Sequence, residues 1–140
     1  MKRKFLVVLL LAGSCLSTGV SMARAEALPT APFTETLDSM LKDERLVGYD
    51  IRSLSTEDIS VELTYSGDHH YSQAELEPFN NGVCYALLKT AVSTGLRPFA
   101  GHTDISCQAI QRSGERAEAG ILGTSRYQRE SDDFAYHSAR

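Results

Sequence analysis

No apolar run in this sequence approaches the roughly 20 residues that a membrane-spanning helix needs. The strongest, Phe5 to Ala12, has only eight. A transmembrane anchor is therefore disfavoured, yet the run sits where a secretory signal places it. Basic Met1-Lys2-Arg3-Lys4 precedes it, and a stretch softened by Gly, Ser and Thr leads to "ARA", whose small Ala23 and Ala25 suit a signal peptidase. Residues 1–25 are expected to be a signal peptide cut between Ala25 and Glu26. A second processing route competes, because "LAGSC" at 11–15 resembles a lipobox that would acylate Cys15 and leave a membrane-anchored lipoprotein. Ala12 stands where that consensus prefers a larger apolar side chain.

Positive charge is scarce as well. Of 14 Lys and Arg, Lys2, Arg3, Lys4 and Arg24 leave with the signal, and the remaining 10 face 18 acidic residues for a net charge of −8. Such a chain repels phosphate backbones and anionic headgroups, which argues against nucleic acid and electrostatic membrane docking as partners. The acids are scattered rather than blocked, as solubility alone requires. Cationic partners stay open.

Cysteine is limited to three residues, and only Cys84 and Cys107 follow the signal. They lack a C-x-x-C spacing, so redox chemistry gives way to a structural bridge in an oxidising compartment. A loop of 22 intervening residues closed this way contributes roughly 3 kcal/mol in the chain-entropy model. Catalytic signatures are missing too. There is no G-x-S-x-G and no S-x-x-K, and Gly120-x-x-Gly123 lacks the Lys and the strand-to-helix order of a phosphate loop. Glu57-Asp58 and Asp132-Asp133 read as solvated turn and tail.

What remains is 115 residues without repeats or low-complexity tracts, enough for one domain. After a Pro-containing linker at 26–33, Phe33, Leu37, Met40 and Leu41 share one helical stripe, which predicts a helix over 34–45 capped by Thr34. "LVGYDIRSL" and "ISVELTY" then alternate, the second without a miss, and predict a hairpin packed on one face. Tyr49 and Tyr65 fall on its apolar side. Ser72-x-x-Glu75 is a capping box. It opens a helix whose stripe Val83, Cys84, Leu87, Leu88, Ala91 and Val92 runs to Gly95. Pro78 predicts a kink or a second helix start. Ile105, Cys107 and Ala109 make a third strand, 112–120 a connection, Ile121–Tyr127 a weak fourth strand, and 128–140 a polar tail. The expected fold is α+β: a small antiparallel sheet of about four strands in the order α-β-β-α-β-β, helices on one face, with the domain spanning 34–127.

The chemistry centres on "SGDHHYSQAE" at 66–75. Asp68, His69 and His70, joined by His102 and Asp104 of "GHTD", carry the ligand types that suit zinc or copper. His69, His70 and His102 are the candidate metal ligands. The competing reading is a solvated turn ahead of a helix cap, since H-H and H-x-D carry no fixed coordination geometry. Tyr71 and Tyr85 are candidate aromatic anchors for a partner. These features favour a periplasmic or secreted non-enzymatic domain, without cofactor, that binds a protein or envelope component through the open sheet face or the loop at 66–72. A metal-binding protein and a small envelope hydrolase are the alternatives.

Overall fold

The computed structural model describes residues 26–97, 102–112 and 120–139. The expected signal at 1–25, with Cys15 and Ala25, and most of the connection at 112–120 lie outside them. The elements run α1 (Thr30–Met40), β1 (Leu46–Leu54), β2 (Asp58–Tyr65), α2 (Gln73–Ser93), β3 (Asp104–Gln111), β4 (Gly120–Gln128) and β5 (Asp133–Ser138). All five strands form one sheet in chain order, so the protein is α+β.

The alternation in β2 is realised in full. Ile59, Val61, Leu63 and Tyr65 are buried, while Ser60, Glu62 and Thr64 face the open side. On the buried side they meet Ile105, Cys107 and Ala109 of β3, Phe134 and Tyr136 of β5, and one stripe from each helix. Phe33 and Leu37 come from α1, and Leu76, Val83, Cys84, Leu87, Leu88 and Ala91 from α2.

Three expectations are corrected. The sheet is mixed rather than antiparallel, because β2 and β3 pair in parallel, from Asp58↔Asp104 to Tyr65↔Gln111. The cause is the length of α2: its 21 residues span about 31 Å at 1.5 Å each. That is enough to carry the chain back over the whole sheet, and such a return makes the next strand parallel. The segment 128–140 is not merely a polar tail. It contains β5, paired antiparallel with β4, with Phe134 and Tyr136 in the core. The strand count is therefore five, and the packed unit extends beyond residue 127. Finally, α1 starts and ends earlier than 34–45. Pro32 stands in its first turn, where a missing N–H costs nothing, and Thr34 lies inside the helix with its hydroxyl donating to the Thr30 carbonyl.

Both ends of α2 are closed as the residue types predict. Ser72 and Glu75 form the reciprocal capping box. At the other end Gly95, at φ 102°, lets its own N–H reach the Val92 carbonyl and the Leu96 N–H reach the Ala91 carbonyl. Pro78 is accommodated within a continuous helix.

Cys84 and Cys107 are bonded, with Cα atoms 5.8 Å apart, and staple α2 to β3. One turn earlier on α2, Asn80 is fully buried among apolar groups. It accepts from the Tyr65 hydroxyl (2.8 Å) and donates to the Cys107 carbonyl (3.0 Å) and to Ser125 Oγ (2.8 Å). Ser125 in turn donates to Asn81 Oδ1 (2.6 Å). Burial drives the Tyr65 phenol well above its usual pKa, so it stays a donor. On β4, Gly123 is covered by the Tyr136 ring, and a Cβ there would strike the ring and its hydroxyl and lie 2.8 Å from the His137 carbonyl.

Two outcomes follow for urea unfolding. Asn80→Ala strands the Tyr65 hydroxyl and removes the donor that Ser125 Oγ and the Cys107 carbonyl accept from, and is expected to cost about 2–4 kcal/mol. Gly123→Ala must displace Tyr136 and is expected to cost about 1–3 kcal/mol, with the unfolding slope unchanged in both variants.

Candidate functional site

The loop from Ser66 to Ser72 leaves the end of β2 and enters α2. Because β3 runs parallel to β2, its last residue Gln111 ends beside this loop. The Gln111 side-chain amide donates to the carbonyls of both Ser66 and His69, each at 2.7 Å. The Ser66 N–H donates to the Arg45 carbonyl (2.8 Å), and the Asp68 N–H to Ser66 Oγ (3.3 Å). Gly67, Asp68, His69 and His70 are exposed, yet their backbone is held at both ends by rigid elements.

Aromatic packing fixes the loop from below. Tyr71 is buried edge-on against Tyr65 (5.4 Å between centroids), with His69 edge-on against Tyr71 (4.6 Å). Burial raises the Tyr71 phenol above its usual pKa. Arg45 lays its guanidinium over Phe79 at 4.0 Å and grips Asp43 through two bonds of 2.9 and 2.8 Å. Those bonds lower the Asp43 carboxyl to about 2. Glu75 is lowered too, first by the Ser72 N–H and then by His69, whose Nε2 lies 3.3 Å from Glu75 Oε2.

Two hollows flank the loop. One, of about 400 Å³, is walled by Arg45, Ser66, Asp68, His69, Tyr71 and Glu75. The other, of about 350 Å³, lies between the start of α2, the start of β4 and the end of β5, with His70, Tyr71, Gln73, Leu76, Leu122 and Tyr136 in its walls. Ser72, Glu75 and His69 do not form a nucleophilic triad. The carboxylate stands between hydroxyl and imidazole, bonded to both, so the imidazole has no hydroxyl to deprotonate.

The three histidines nominated as metal ligands are not brought together. His102 precedes β3 at the end where β2 begins, whereas His69 and His70 follow the end of β2. Parallel strands of eight residues keep those ends about 23 Å apart at 3.3 Å per residue. Asp104 stays with His102, its N–H bonded to the Glu57 carbonyl. Among the described residues no group of three His, Cys, Asp or Glu could hold a metal ion. Of the two candidate aromatic anchors, Tyr71 belongs to the core and Tyr85 is exposed on α2, beside Leu88, Lys89 and Val92.

Sequence reasoning missed Gln111, Arg45 and Tyr136. Gln111 and Arg45 arrive from distant segments and carry no local signal. Tyr136 had one, the alternation Phe134-x-Tyr136, hidden by the acidic pair before it.

Comparison with protein-family models, curated proteins and solved structures finds no match to the chain.

Titration checks the electrostatics. The Asp43 carboxyl is expected to titrate near 2 by NMR, below an unfolded carboxylate. Its contribution is therefore full above the unfolded value and is lost as pH falls through that folded value. Asp43→Asn should flatten the part of the acid-unfolding profile below about pH 4.

Proposed function

We propose that this chain is an exported, non-enzymatic domain that recognises a protein or envelope component through the corner formed by residues 66–72 and its two hollows. The observation that carries the reading is the clamping of that loop. It exposes a carboxylate and two imidazoles while Gln111 and the capping box fix its backbone. A loop ordered in advance lowers the entropy cost of binding, and binding residues concentrate on loops set on rigid scaffolds.

Export has separate support. The basic and apolar order of the N-terminus is that of a cleavable signal, and a fully buried bridge between Cys84 and Cys107 suits an oxidising compartment. Among the described residues no helix is long and apolar enough to cross a membrane. The acidic balance after cleavage favours a neutral or cationic partner over nucleic acid.

Two measurements test this. Mass spectrometry of the protein recovered from its native host is expected to find Glu26 at the N-terminus; an acylated Cys15 would replace free export by lipid anchoring. Cross-linking in the envelope fraction should yield a partner with the wild type that is lost in Gln111→Ala, whose loop is unclamped. Equal capture by the two proteins, or none by either, rejects the corner as the recognition surface.

A further inference from the structure

Opposite its buried stripe, α2 presents a second face that the packing of this domain does not use. Pro78, Gly82, Tyr85 and Lys89 follow one another at spacings of four, three and four, so they share one side of the helix, and all are exposed. Tyr85 is 51% exposed, and Val92, at the edge of the same face, 38%. Gly82 is the odd member. A glycine in a helix interior weakens the helix relative to alanine, yet a Cβ at this position would meet nothing within 4 Å. No contact inside the domain therefore calls for the missing side chain. The charges of α2 are unequally placed as well. Glu75 and Glu77 lie in its first turns, Lys89 lies near its end, and no acid stands between 78 and 93. Neither Lys89 nor Glu77 takes part in an ion pair among the described residues.

We propose that this face binds a second copy of the chain, with α2 packed antiparallel against α2 about a two-fold axis that passes between residues 83 and 84. Such an axis sets the Tyr85 ring of each copy over Gly82 of the other, where the absent Cβ leaves room for close approach. It also brings Lys89 of each copy to the level of Glu77 of the other, so unlike charges meet at both ends. A parallel pair would set like charges together. The occupant is a second copy rather than an unrelated chain because the gap, the ring, the acid and the base all stand at mirrored positions on one helix. The net negative charge of the chain opposes the contact only at short range, since salt at physiological strength screens it over about 8 Å. This pairing does not depend on the recognition role of the loop at 66–72.

Analytical ultracentrifugation of the purified protein, with its disulfide intact, tests the pairing over about 5 µM to 1 mM, where the wild type is expected to dimerise reversibly. Gly82→Gln fills the gap with a better helix former. It is expected to weaken dimerisation by about tenfold or more while raising the urea midpoint of the monomer. Lys89→Glu and Glu77→Lys set like charges face to face, and each is expected to stay monomeric. An equimolar mixture of these two variants is expected to dimerise, because every contact then joins unlike charges. A wild type that is monomeric throughout overturns the proposal, and so does a dimer that Gly82→Gln leaves intact, since its contact lies elsewhere. A mixture no more associated than its components overturns the antiparallel register. A photo-cross-linker at position 85 that captures a different chain from the envelope fraction, and never its own, gives the face to that partner and overturns the second copy.

Discussion

One helix has to carry the chain back across the full length of the sheet, and that constraint organises the molecule. α2 leaves the end of β2 and delivers β3 beside the start of β2, so the two central strands run parallel. Its buried stripe supplies most of the cover for the inner face of the sheet. Apolar packing alone would tolerate sliding of a smooth helix along a smooth sheet. The Asn80 bonds to Tyr65, Cys107 and Ser125 do not, because each needs a particular atom within about 3 Å. Burying an amide in an apolar layer is unfavourable unless its bonds are made, and here all three lie across the helix-sheet interface.

The same crossover explains where the candidate site lies. Parallel pairing brings the ends of β2 and β3 to one rim of the sheet, and the start of α2 lies there too. The loop at 66–72 is therefore touched by residues far apart in sequence, Gln111 and Arg45 among them. It also explains why His102 is remote from His69 and His70. An antiparallel β3 beside β2 would have begun at that rim and placed His102 near the other two.

Features written in short stretches were legible. The alternation of β2, the capping box at Ser72 and the stripe of α2 all depend on residues within a few positions of one another. The cysteine pairing was legible because both residues fall on apolar faces of elements that must meet. Legibility failed where the answer depended on distant partners. Alternation in β3 shows a one-sided strand but not its direction, so Ile105-x-Cys107-x-Ala109 reads alike in parallel and antiparallel pairing. β5 was missed for a different reason: two buried aromatics in a short strand flanked by acids and a histidine leave the average polarity high. Tyr136 gains its place from Gly123 on the neighbouring strand, and only the register joins them.

The sulfur atoms joining α2 to β3 belong to residues with no solvent exposure. Exchange requires a thiolate to approach one sulfur directly, so an intact molecule offers a reductant nothing to attack. Opening must precede cleavage, and the rate at which this bond is lost then measures how often the helix lifts from the sheet. In an environment of changing redox poise, the linkage behaves as a memory of successful folding rather than as a sensor of its surroundings.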